Sequence, residues 1–259
     1  MFFTLFVQEQ YYPARHETRH VLRLLDLARK QVAANADKIE FAYSAADVTR
    51  IANTGKIAAV LDLEGGFDMD GDLGVLREMY RAGFRVMMLP AHNWGNNFAE
   101  SCCSKSAFGG LNEHGKDVVR EMNRLGMMVD ISHTADATFE DALAVSTAPI
   151  IASHSSCRAL ANHPRNLTDD MIRALAKKGG VIQINFNCNF NCNCNCNCNC
   201  NCNCNCNCNC NCHTHIVLYI NTNSKTNYFC NGHYCAYYFT KHFFNWNCCI
   251  NYYDKQFAL

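Results

Sequence analysis

Five polar residues stand at or just past the ends of separate apolar runs: Glu64, His92, His133, His154 and Asn185. A carboxylate together with imidazoles is the donor set that a borderline divalent ion takes, zinc most often. The pattern predicts a metal site with Glu64, His133 and His154 as its ligands. In the stretch LEGG, Gly65 and Gly66 directly follow Glu64, where a sharp turn would leave the carboxylate free at a rim. A glutamate carries two oxygens, so one such residue can bridge two metals in a hydrolytic centre. His92 lies a little past its run, so a structural role is as open to it as a chemical one. His16, His20, His114 and His163 read as surface or turn residues. Asp62 and Asp130 lie inside apolar runs and read as internally paired, and Cys102 and Cys103 read as incidental members of a long loop.

Residues so far apart can meet only if the elements carrying them end on a common rim. Nearly continuous apolar runs predict buried strands over 2–7, 56–63, 84–89, 127–132, 149–153 and 180–186. Between them, apolar residues recur at helical spacing over 18–34, 72–82, 112–125, 134–145 and 168–177. Thr168 followed by Asp169 and Asp170 is a helix start, and Gly83, Gly126 and Gly179 fall where helices should stop. Strand–helix–strand repetition predicts a parallel sheet with helical crossovers. With no glycine-rich dinucleotide fingerprint after the first strand, the pattern favours an α/β, (β/α)8-type barrel of about six strands over a doubly wound sheet. In such barrels the chemistry gathers at the C-terminal strand ends.

The 259-residue chain has a formal net charge of zero, which points away from nucleic acid or an anionic membrane as partner. No apolar run is long enough to span a bilayer, and the opening MFFTLFV lacks the basic region and cleavage site of a signal peptide. The compartment stays open. Of the 19 cysteines, only Cys102, Cys103 and Cys157 precede residue 187. Composition then changes abruptly. Residues 191–212 are an unbroken Asn-Cys repeat, and 213–259 contain no Arg, Glu or Pro. Strict dipeptide periodicity fits a tandem repeat of two codons, and the tail's residue types fit AT-rich codons. The expected organisation is a partial barrel over 1–186, a low-complexity repeat over 187–212, and a tail over 213–259 without an assigned fold, read from repeat and non-coding or frame-shifted DNA. The competing reading is a soft-metal tract of alternating thiols.

GGLNEHGKDVVREMNRLGMMVDISH, APIIASHSSCRALANHPRNLTDD and GGVIQINF, with LEGG and MMLPAHNWGNNFAES upstream in the same order, resemble the membrane (renal-type) dipeptidases and their bacterial relatives. The resemblance covers roughly residues 2–186. It implies a zinc-dependent barrel hydrolase of the amidohydrolase type with a dipeptide as substrate, two zincs in the family, and it allows a homodimer. It implies that Glu64 bridges the zincs and that His133 and His154 complete the second zinc site. His92 would contact substrate and steady the tetrahedral intermediate, and Arg165, in HPRN, would hold the substrate's terminal carboxylate. A guanidinium suits that task because it grips a carboxylate with two parallel hydrogen bonds.

The resemblance also implies a first-strand His-x-Asp pair and a last-strand Asp that residues 1–186 do not supply. A barrel without neighbouring strands leaves exposed edges. The resulting expectation is a truncated, poorly folded and inactive copy holding at most one zinc. The alternatives are another amidohydrolase-type barrel, such as a deaminase or lactonase, and a non-catalytic degenerate product with a cysteine-rich metal-binding tract.

Overall fold

The computed structural model describes residues 1–6, 16–65 and 72–183 with their side chains, together with the backbone of 184–186 and of five short strands beyond. The chain divides into two compact units, Met1–Thr222 and Asn223–Leu259. The second contains an antiparallel pair, Asn227–Asn231 with Tyr234–Tyr238.

In the first unit, strands and helices alternate: β1 (Phe2–Phe6), α1 (Glu17–Ala34), β2 (Ile39–Phe41), α2 (Ala45–Ala52), β3 (Ile57–Glu64), α3 (Leu73–Ala82), β4 (Val86–Met88), α4 (Glu113–Leu125), β5 (Met128–Asp130), α5 (Asp136–Val145), β6 (Ile151–Ser155), α6 (Asp169–Lys177) and β7 (Val181–Phe186). The sheet runs β1-β3-β4-β5-β6-β7, and each of these neighbours pairs in parallel. Six parallel strands with crossover helices make an incomplete (β/α)8-type barrel. The short β2 pairs with the start of β3, Ile39 opposite Ile57.

Local chemistry explains where the elements stop. Asn112 and Thr168 accept the amides of Gly115 and Met171, capping α4 and α6. Gly83 and Gly126 end α3 and α4 in the left-handed conformation. β5 is shorter than its apolar run because the Asp130 carboxylate takes the Ser132 amide at 2.9 Å, turning the chain out of the ladder. α5 begins at Asp136 and not Thr134, because the Thr134 hydroxyl donates back to the Ile131 carbonyl at 2.8 Å. The pair β2–α2 has no counterpart in the sequence reading. Its strand is too short to show a period, although Ser44 and Asp47 form a capping arrangement: Asp47 N–H donates to Ser44 Oγ at 3.1 Å, and Asp47 Oδ2 accepts from Ser44 at 2.9 Å.

The core lies between sheet and helices. Leu61, Leu63, Met87, Leu89, Val129, Ile131 and Ala152 from or beside the strands pack with Leu76, Met79, Val118, Val119, Met122, Phe139 and Leu175 from the helices. Burying one such large apolar side chain stabilises by about 1.5–3 kcal/mol. Among the described residues no helix is long and apolar enough to cross a membrane.

Beyond residue 186 the backbone forms β8 (Asn193–Cys194), β9 (Cys206–Asn207) and β10 (Thr214–Leu218). β8 and β9 pair with each other. β10, where no element is expected, runs antiparallel to β7 and covers its edge, Thr214 opposite Phe186 and Leu218 opposite Ile182. The thiols of the Asn-Cys tract, and with them the soft-metal reading, lie outside the described residues. So do Val7, Gly66 and the Asn185 side chain.

Candidate metal centre

β3 carries Glu64 to its last position, and Gly65 turns the chain there at φ 113°. His154 sits near the end of β6, and His133 lies three residues past β5. The three ends share one rim because β3, β4, β5 and β6 pair in that order, all in parallel, and their ligating atoms all lie within 4.8 Å of one another. The two Nε2 atoms are 2.9 Å apart. Glu64 Oε1 is 3.5 Å from His154 Nε2 and 3.8 Å from His133 Nε2. Tetrahedral zinc with bonds of about 2.0–2.1 Å sets its donors roughly 3.3 Å apart, so the spacing suits such an ion after small shifts. His92 Nε2 lies 3.9 Å from the same Glu64 oxygen, and the His92 ring sits 4.1 Å from that of His133, centroid to centroid.

Both histidines have their far nitrogen engaged. His133 Nδ1 meets the Asn93 side-chain oxygen at 2.8 Å, which fixes the proton on Nδ1. His154 Nδ1 meets Ser153 Oγ at 2.7 Å, and Ser153 Oγ in turn donates to Asp130 Oδ2. Asp130 Oδ1 accepts from Ser132 N–H, from the Ser132 hydroxyl at 2.8 Å and from Ser153 N–H at 3.0 Å. The Ser132 hydroxyl oxygen accepts the His154 amide at 3.0 Å. One buried carboxylate therefore organises the ends of β5 and β6, and Asn93 and Ser153 turn the two Nε2 atoms inward by holding the opposite ring nitrogens, which is how outer groups orient metal-binding imidazoles. His92 and His133 both adopt left-handed backbone, at φ 59° and 65°. That conformation costs a side-chain-bearing residue on the order of 1 kcal/mol and collects at functional sites.

The electrostatics keep the donors ready. Burial alone would raise the Glu64 carboxyl, but a hydrogen bond from His154 and the surrounding His154, His92 and Arg165 charges hold it below the usual range. Burial, reinforced by the Arg165 charge, pushes His133 well below an ordinary histidine. Burial also lowers His92, against the pull of Glu64. An anionic Glu64 and a neutral His133 are donor states that a divalent ion needs. Asp62, one pleat below Glu64, is raised well above its usual range, first by burial and then by Asp130. Its Oδ2 accepts from Thr4 at 2.9 Å, while its Oδ1 has no partner among the described residues. Arg165 reaches in from the loop after β6 and donates to the His154 carbonyl at 2.9 Å and to Ser155 Oγ at 3.5 Å.

The loop between β4 and α4 walls the site. The Glu100 carboxylate anchors it, accepting N–H bonds from Ala107, Phe108, Gly109 and Gly110 and the Ser106 hydroxyl. Burial works against its ionisation, but these donors hold it at about 2. Of the sequence-predicted residues, Glu64, His92, His133, His154 and Arg165 come together here. His16 and His163 are exposed and His114 lies against Phe98, away from the site. Sequence reasoning missed Asn93, Ser153 and Glu100. Asn93 and Ser153 adjoin predicted residues, His92 and His154, which was the only available signal; Glu100 had none.

A half-barrel whose rim holds a carboxylate and two imidazoles around one point has the features of a metal-dependent barrel hydrolase. The model of the membrane dipeptidase family, peptidase family M19, matches residues 1–215, and the chain belongs to that family. It is 39% identical over 175 residues to Dipeptidase verJ of Clonostachys rogersoniana, covering 67% of this chain and 45% of that protein. It is 40% identical over 169 residues to Dipeptidase tcpJ of Claviceps purpurea (strain 20.1), covering 65% and 40%. Among solved structures, the probable dipeptidase PvdM from Pseudomonas aeruginosa matches with a TM-score of 0.64 and 29% identity, over 70% of this chain and 49% of that one. A metallo peptidase from Rhodobacter sphaeroides, liganded with a phosphinate mimic of the dipeptide L-Ala-D-Ala, matches in fold with a TM-score of 0.67 at 23% identity, over 73% and 62%. The chain spans less than half the length of these curated relatives. Family membership implies a metal cofactor, and Glu64, His133 and His154 are a group able to hold one.

Proposed function

We propose that the site performs zinc-dependent hydrolysis of dipeptides, with Glu64, His133 and His154 holding the ion. The observation that carries this reading is the pair of inward-facing Nε2 atoms, 2.9 Å apart, with an anionic carboxylate beside them. A zinc ion held there supplies Lewis acidity toward a carbonyl and a nucleophile at neutral pH. The protein's own groups do the rest. His92, beside Glu64, is positioned to contact the substrate carbonyl as charge develops on it. Arg165 spends two N–H groups on His154 and Ser155. A guanidinium has five, so enough remain to grip the free carboxylate of a dipeptide in bidentate fashion. Asn93 and the Asp130–Ser153 pair each occupy an Nδ1, which leaves the two Nε2 atoms facing the ion.

Among the described residues there is one such three-donor group, and the proposal assigns one zinc to it. Zinc stoichiometry by elemental analysis, combined with equilibrium dialysis of a dipeptide, tests the reading. The zinc-loaded chain should bind the dipeptide, and Arg165→Met should weaken that binding by about tenfold or more. Two zincs per chain would overturn the single-site proposal. Preferential binding or opening of a lactone would favour the deaminase-or-lactonase branch of amidohydrolase-type barrels instead.

A further inference from the structure

The loop that carries His92 and Asn93 also carries two adjacent cysteines that the hydrolytic reading leaves unused. Cys102 is half-buried and Cys103 exposed, so the pair is open to small reagents. Their Sγ atoms are in direct contact, 2.7 Å apart, so both side chains turn to the same side of the backbone. The pair is joined to the site at both residues. Cys102 N–H donates to the His133 carbonyl at 2.8 Å. Cys103 N–H donates to Ser101 Oγ at 3.3 Å, and that hydroxyl donates to the His92 carbonyl at 3.0 Å. Ser101 also bridges to Thr134, the residue after His133.

We propose that Cys102 and Cys103 form a reversible thiol-oxidation site on the wall of the metal pocket, closed to a vicinal disulfide by hydroperoxides. In the first step one sulfur attacks a peroxide oxygen. The O–O bond breaks, a sulfenic acid forms, and the other oxygen leaves as an alcohol or, from hydrogen peroxide, as water. In the second step the neighbouring thiol attacks that sulfur, the S–O bond breaks, and water leaves with the remaining proton. The two thiols lose two electrons and two protons, and the peroxide gains both. Adjacent Cα atoms are about 3.8 Å apart, shorter than the roughly 4.4–6.8 Å usual for linked cysteines. The ring is therefore strained, and strained, exposed disulfides are the ones that dithiols reopen readily. Closure also fixes the backbone whose amide holds His133, so it should be felt as weaker metal binding.

Trypsin isolates the pair, because the peptide 86–105 contains Cys102 and Cys103 and no other cysteine. The full chain is treated with one equivalent of hydrogen peroxide, alkylated, digested and mapped by mass spectrometry. The expected peptide is lighter by two hydrogens and unalkylated, and dithiothreitol restores two alkylatable thiols. Cys102→Ser and Cys103→Ser should each leave one alkylatable thiol. A doubly alkylated peptide, or one cross-linked to a tail cysteine, would overturn the proposal. In a second measurement, zinc affinity by chelator competition should fall about tenfold on oxidation, and should not change in Cys103→Ser. Equal affinities before and after oxidation would overturn the link to His133. Closure is read by mass and stands without the metal reading; only the zinc effect rests on it. A chain that closes the ring but never binds zinc would sink the hydrolytic reading and leave the thiol site standing.

Discussion

On the β5–β6 side of the rim, His133 and His154 each have one ring nitrogen fixed by a partner, and Asp130 ties both strand ends together. On the β3–β4 side, Glu64 meets its surroundings through the histidines opposite, and His92 keeps a buried Nδ1 with no partner among the described residues. One side is held by bonds within the fold, while the other is held mainly by the ligand group itself. The difference teaches that the ligand types alone do not make this site. Asn93 and, through Ser153, Asp130, neither of which offers an atom to the ligand group, decide where two of the three donors point.

The contrast is broken most directly by removing a fixed donor. His154→Ala should lower zinc affinity by about a hundredfold or more, measured by competition with a chromophoric chelator. Next in size is Asp130→Ala, which takes the shared acceptor away from the Ser132 and Ser153 hydroxyls and amides. It should destabilise the fold by about 3 kcal/mol in urea unfolding and weaken zinc by about tenfold, although Asp130 touches no metal. Glu100→Gln separates the loop from the strands. The wild-type contribution is fully present above the ordinary carboxylate value of 4.5 and is lost as pH falls through about 2, because the folded state holds this carboxyl ionised. The variant should therefore lose about 2 kcal/mol at neutral pH and show a flatter acid limb in a pH series of unfolding curves. The smallest effect is expected of His92→Ala, with zinc affinity changed by less than about threefold. A large loss of zinc there would erase the distinction between the two sides.

Much of this was legible in the sequence, for identifiable reasons. Buried parallel strands are apolar on both faces, so β3, β6 and β7 stand out as runs, and Glu64 and His154 stand out as the polar residues that end them. Glycine after a helical period marked the ends of α3 and α4. Other features were out of reach. β2 has three residues and no period to detect. The Asn93–His133 bond spans 40 residues, and nothing in the stretch HNWGNN says which asparagine will face an imidazole. Glu100 looks like any loop glutamate until four amides converge on it. Asp130 was read as internally paired, which is correct, but its control over His154 runs through a serine and emerges only in three dimensions.

His92 and His133 occupy backbone conformations that glycine or asparagine would accept with less strain. An idle copy of this chain, released from any duty to bind or cut, would gain resilience by exchanging either imidazole for one of those residues. Sturdiness and the placement of imidazoles thus pull in opposite directions at two neighbouring positions, and the residues found there favour the imidazoles.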